Sequence, residues 1–244
     1  MEEFVPEEIN EQPQLMLSAE EASQVISGYM RQVYTWMTAA LALTGGVALF
    51  VGASPAVQEL VFGNRLVFIG LLLLELVVVG FLSRKAFDWT IGQTQAAFVG
   101  YALLNGLTLG VVFMVYTADS IASTFFVTAG TFGVMSLYGF FTRTDLTRWG
   151  NLLLMGVVGL IIASVVNMFL LNSMLYTICS FVGVLLFVGL TAYDTQKLKM
   201  MAFMGYGEED TTINQKAAVL GALTLYLDFV NLFLYILRLF GRRK

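Results

Sequence analysis

Three acids stand where a bilayer would leave them dry. Asp228 lies near the middle of Ala217–Phe240 (AAVLGALTLYLDFVNLFLYILRLF), Asp194 ends an apolar run at Gly189-Leu190-Thr191-Ala192-Tyr193-Asp194, and Glu75 interrupts Leu71-Leu72-Leu73-Leu74-Glu75-Leu76. A carboxyl group in such surroundings needs a cavity, a partner or a bound ion. Asn231 falls one helical turn after Asp228 on the same face, so the two could offer oxygen ligands or share a proton. The chain has no histidine and one cysteine, Cys179. A pH response near neutrality therefore falls to carboxyl groups before any other side chain. Zinc and copper sites built on His and Cys are excluded, whereas oxygen-ligand ions such as calcium stay open. Cys179 sits in an apolar run and reads as a small packing residue.

Each acid also has a plainer reading. Asp194 is expected near a membrane interface, where it could pair with Lys197 or be solvated. Glu75 could be a protonated acid hydrogen-bonded to a neighbouring helix, at Asn105 or Asn167, or part of an ion path. Asn105 and Asn167 read as interhelical hydrogen-bond residues. Arg84 and Lys85 close a hydrophobic stretch as interfacial anchors, on the side where Asp194 emerges, so an ion pair between them is open.

The elements that must position these residues are membrane helices. Of 244 residues 58% are hydrophobic and 12% charged, about half the charge density of a soluble domain. Seven apolar stretches, at roughly 33–53, 66–83, 95–116, 121–141, 149–171, 174–194 and 217–238, each approach the roughly 20 residues that a spanning helix requires. Runs such as Ile69–Val79 do not alternate, which argues against a β-barrel. Short connections make consecutive helices antiparallel neighbours, and glycines such as Gly106 and Gly110 suit close helix contact. The fold class expected is an all-α membrane protein with seven transmembrane helices.

Arg31, Arg84, Lys85, Arg143, Arg148, Lys197, Lys199 and Lys216 fall on one side of this arrangement and Arg65 alone in the loops of the other, which places the N-terminus in the cytoplasm. Seven crossings then put Gly241-Arg242-Arg243-Lys244 outside, against the same rule. A re-entrant last segment would bring that tail back. Seven crossings are preferred because the last segment is long enough and has no Pro or Gly at its middle. Residues 1–30 are acidic and are read as a disordered cytoplasmic tail, with 31–244 forming the membrane domain. No basic region precedes an apolar core there, so a cleavable signal peptide is not expected.

Nothing in the composition suggests nucleic-acid binding, and no nucleic-acid partner is expected. Without histidine no Ser-His-Asp set exists, no glycine-rich phosphate loop follows a strand, and the chain is not expected to be an enzyme or to hold a cofactor. Intramembrane proteolysis by paired aspartates of the presenilin type would need Tyr-Asp and Gly-x-Gly-Asp. Tyr193-Asp194 meets the first pattern, but Leu227-Asp228 does not meet the second.

The runs LTAYDTQKLK (190–199) and GALTLYLDFVNLFLYILRLFG (221–241) resemble the two signatures of the transmembrane Bax inhibitor motif family. SIASTFFVTAGTFGVMSLYGFFTRTDL (120–146) also resembles bacterial members, and the likeness covers about residues 30–244. The resemblance implies a seven-helix bundle with the last helix central and the other six around it. It also implies a calcium leak gated by pH through Asp194 and Asp228, with transient calcium at the pair and calcium as the transported ion. Arg84 matches the basic latch, with Lys85 as a competitor, and Glu75 and Asn231 are weaker candidates along the path. A bacterial inner-membrane location is implied as well, as is cell-death suppression for eukaryotic members. The competing reading is an interaction protein that modulates a membrane protease or another membrane complex.

Physics sets one condition on the paired-aspartate reading. Two carboxylates within about 4–6 Å cannot both ionise easily, so a close pair shares a proton. Asp228 lies roughly 15 Å into its helix at 1.5 Å per residue, while Asp194 is expected near the end of the other. For the two to meet, either the sixth span must extend past the interface or the last must sit displaced toward the cytoplasm.

Overall fold

The computed structural model describes residues 18–203 and 211–244. Glu2, Glu3, Glu7, Glu8 and Glu11 of the acidic stretch lie outside these residues. Among the described residues the chain forms eight helices: α1 Ala19–Ala53, α2 Pro55–Phe62, α3 Arg65–Lys85, α4 Ile91–Val115, α5 Ala118–Phe141, α6 Thr147–Leu170, α7 Ser173–Phe203 and α8 Thr211–Phe240. All but α2 are long and apolar enough to cross a bilayer. In hydrocarbon each backbone polar group must be satisfied within its own segment, and a continuous helix does this.

Two boundaries differ from the sequence reading. The first helix begins at Ala19, inside the stretch read as a tail. Ser18 caps it, its hydroxyl accepting from the Glu21 amide at 3.2 Å while the Glu21 carboxylate accepts from the Ser18 amide at 2.9 Å. This reciprocal capping box starts a helix without regard to hydropathy, so an apolar window cannot detect it. The short α2 was also not expected. Pro55 at its first turn and Ser54 before it provide the start.

The last helix is the axis of the bundle. It contacts α1, α4, α5 and α7, while α3 lies on α4 and α6 on α7 at the periphery. Ala218, Val219, Ala222, Leu225, Tyr226, Phe229, Leu232, Ile236 and Leu237 of α8 are all buried. By contrast α3 and α6 expose Leu73, Leu76, Val158 and Ile162, as helices facing lipid do. Polar contacts set the register. The Tyr226 hydroxyl lies 2.8 Å from that of Thr44, which also bonds the Ala102 carbonyl at 2.9 Å. Because Thr44 has one proton to give, Tyr226 donates to it. One hydroxyl pair thus ties α1, α4 and α8 together. The glycines allow close approach: a Cβ on Gly106 would stand 2.7 Å from the Val47 Cβ.

The chain end is fastened at the α8 C-terminus. Thr117 donates its amide to the Arg242 carbonyl and Lys244 donates its amide to the Val115 carbonyl, both at 3.0 Å, with Tyr116 and Arg243 forming an antiparallel bridge between them.

Candidate functional site

Asp194 on α7 and Asp228 on α8 are brought together, with their carboxyl groups within hydrogen-bonding reach of one another. They are 9% and 5% exposed respectively. Asp228 Oδ2 is buried without a hydrogen-bond partner. Asp194 is the outer member. It lines a cleft of about 160 Å³ with Tyr29, Lys197, Gly221 and Thr224, and the Lys197 ammonium acts on its charge.

The condition set by depth is met through helix length. Asp194 does not end its helix: α7 runs on to Phe203, so the sixth span projects about 13 Å past this residue. The last helix begins at Thr211, ahead of its apolar window. Both extensions are polar enough to escape a hydropathy criterion.

Neighbouring helices hold the pair from behind. A Cβ on Gly139 of α5 would run into the Ala192 carbonyl, so the α5 and α7 backbones touch two residues before Asp194. Gln196 bonds the Thr144 carbonyl and the Leu146 amide, both at 2.8 Å, and the Lys199 ammonium caps the Phe140 carbonyl at 2.7 Å. These bonds fix α7 to the α5–α6 connection. Around Asp228, Phe229 packs edge-on against Phe125 and Phe132 at 5.5 Å, and Tyr226 against Phe98 and Tyr101 at 5.9 Å.

The other sequence candidates do not join the pair. Arg84 is exposed, and the one salt bridge among the described residues is Lys85–Asp88, at 3.0 Å on the surface. Asn231 donates its side-chain amide to the Leu227 carbonyl of its own helix at 2.8 Å. Glu75 belongs to a separate polar contact, accepting from the Thr108 hydroxyl of α4 at 2.6 Å. The expected partners were Asn105 or Asn167. Thr108 holds this role because it follows Asn105 by nearly one turn on α4, while the Asn167 side-chain oxygen accepts from the Asn172 amide. Thr108 was missed because one threonine in an apolar helix has no distinctive spacing. Thr44 and Tyr226 were missed for the same reason.

No third Asp, Glu, Cys or His joins the aspartates among the described residues. Calcium takes six to eight oxygens, of which two carboxyl groups can supply only part.

The chain matches, over residues 26–244, the family model described as "Inhibitor of apoptosis-promoting Bax1". It is 51% identical over 220 residues to the inner membrane protein YbhL of Escherichia coli K12, a match covering 88% of this chain and 92% of that one. A protein of Borreliella burgdorferi is 40% identical over 216 residues, covering 88% and 92% of the two chains. One of Deinococcus radiodurans is 39% identical over 230 residues, covering 94% and 97%. A family match across the whole helical region, with relatives aligned over nearly their full length, makes this chain a multi-pass membrane protein of the Bax inhibitor family.

Proposed function

We propose that this protein is a pH-sensitive calcium leak, with Asp194 and Asp228 as its sensor and gate. The observation that carries the reading is the close approach of two buried carboxyls, one of them lining a cleft at the end of the bundle. In this reading the two carboxyls share one proton, as close carboxyl pairs do. Losing it leaves two negative charges side by side, which repel each other and attract cations. Arg84 is then the latch of a second conformation, one in which the deprotonated pair draws the guanidinium inward. In the state described here Arg84 is disengaged. The sign follows: the latched, closed state gains as pH rises, and leak increases as pH falls.

Calcium is cargo in this reading, no resident cofactor is needed and no bond-making chemistry is assigned. The membrane is the bacterial inner membrane, by analogy with YbhL, and the N-terminus and the cleft at Asp194 face the cytoplasm.

The test is calcium flux into liposomes that hold the purified full-length protein, from about pH 8 to about pH 5. Wild type should leak more at the acid end, while Asp194→Asn and Asp228→Asn should each flatten the profile. A folded protein with no flux above empty liposomes at any pH would overturn the leak. It would favour an interaction protein that acts on a membrane protease or another complex.

A further inference from the structure

At the end of the bundle away from the aspartates, α6, α7 and α8 enclose a polar cleft of about 570 Å³. Asn167, Asn172, Ser173, Tyr176, Arg238 and Arg243 line it. Neither arginine has a carboxylate partner, since the one salt bridge among the described residues lies elsewhere. The Arg238 guanidinium stands 5.1 Å from the Tyr235 ring and 6.0 Å from that of Tyr176. Such rings orient a guanidinium without neutralising it or occupying its N–H edge. Arg243 lies beside the Tyr116 and Tyr176 phenols, which hold its proton more firmly than usual. The bridge to Tyr116 fixes its backbone.

The remaining groups are donors too. The Asn167 side-chain oxygen is engaged by the Asn172 amide at 3.0 Å, and the Asn172 side-chain oxygen by the Leu175 amide at 3.0 Å. What both asparagines have left is an NH₂ group. Ser173 opens α7, which brings the positive end of the helix dipole to the cleft. Leu171, at φ 50°, ψ 34°, takes a left-handed conformation that leucine seldom adopts, and so turns the chain sharply into the cleft wall. Two cations, two amide donors and a helix start thus converge where no acid lines the cleft.

We infer that this cleft binds a phosphate-type oxyanion, supplied by the headgroup of a phospholipid. Guanidinium edges, NH₂ groups and a helix N-terminus are the groups that hold phosphate. The cleft lies at the level where α6 and α8 end and α7 begins, which is headgroup depth for spans of this length. Its rim exposes large apolar side chains, with Leu171 at 84%, Phe169 at 78% and Met174 at 71%, so a headgroup seated here leaves its acyl chains against apolar helix faces. The same site explains basic residues after the last span on the side where the positive-inside rule would not put them: they are ligands. The inference stands whether or not the aspartate pair gates a leak.

The test is binding to the full-length protein in a neutral detergent, read by native mass spectrometry and by thermal stabilisation. The probes are short-chain phosphatidylglycerol, diacylglycerol of the same chain length, and inorganic phosphate. Wild type should bind phosphatidylglycerol at least tenfold more tightly than diacylglycerol and gain in Tm with lipid concentration. Arg238→Gln and Arg243→Gln should each weaken binding about tenfold or more, the scale of one charge-assisted contact. Asn172→Asp keeps the acceptor for the Leu175 amide and a good helix cap, so it should fold normally yet lose the lipid through its new charge. Binding of inorganic phosphate alone, lost in the same variants, would support the anion site and move its source to solution. Equal binding of diacylglycerol, or wild-type affinity in a folded Asn172→Asp protein, would overturn the inference.

Discussion

Asp228 faces Asp194 across the α7–α8 boundary within hydrogen-bonding reach, and its Oδ2 is buried. Each aspartate is the other's polar neighbour. Asp194→Leu should therefore leave the buried Asp228 without its polar neighbour and cost about 1–3 kcal/mol. Asp194→Asn, which can donate to the remaining carboxylate, should cost less. Unfolding in denaturing detergent at neutral pH ranks the two, and equal losses would refute a direct bond.

Glu75 and Thr108 offer a second pairwise test. Thr108→Val removes the hydroxyl that donates to Glu75 at 2.6 Å. A double-mutant cycle with Glu75→Leu should give a coupling of about 0.6 to 1.7 kcal/mol, the range for interhelical hydrogen bonds in bilayers. Glu75→Gln should retain most of the stability. If Glu75 were instead on the ion path, Glu75→Gln would change flux while leaving stability intact.

Gly139 offers a test of both stability and the proposed gating. A larger residue must push α5 away from the Ala192 carbonyl, two residues from Asp194. Gly139→Val should lower stability by about 1–3 kcal/mol and alter the pH profile of flux. Gly130→Val on the same helix, where an added Cβ meets nothing within 4 Å, is the control and should leave both near wild type.

Topology can be read by labelling. Seven spans place the start of α1 and the fastened residues 241–244 on opposite faces. In a Cys179→Ala background, Glu20→Cys and Arg242→Cys should react with an impermeant maleimide from opposite sides of the membrane. Labelling of both from one side would restore the re-entrant reading of the last segment.

Deleting residues 241–244 removes the backbone bonds from Thr117 and Lys244, the 2.9 Å bond from the Arg242 amide to Ser120, and the 2.7 Å bond from the Lys244 ammonium to the Phe113 carbonyl. At about 0.5–1.5 kcal/mol net for each bond, the truncated protein should lose about 2–6 kcal/mol. Thermal melting would show the loss, and an unchanged Tm would show that the tail is held too weakly to matter.

The sequence by itself determined the number of spans, the all-helical class and the identity of the buried acids. These are local properties: hydrocarbon demands internally bonded segments of sufficient length, and a carboxyl inside one stands out whatever surrounds it. The family was legible too, because its signatures are continuous runs on two adjacent helices. Only the tertiary structure decided which polar groups meet. Polar extensions of α7 to Phe203 and α8 back to Thr211, invisible to hydropathy, let Asp194 reach Asp228. Glu75 found Thr108 rather than either asparagine, and Arg84 remained outside. The donor-rich cleft draws Asn167, Asn172, Arg238 and Arg243 from three helix ends and the chain terminus. Helix rotation and stagger place such groups, and both depend on how whole faces fit against one another rather than on any one stretch of residues.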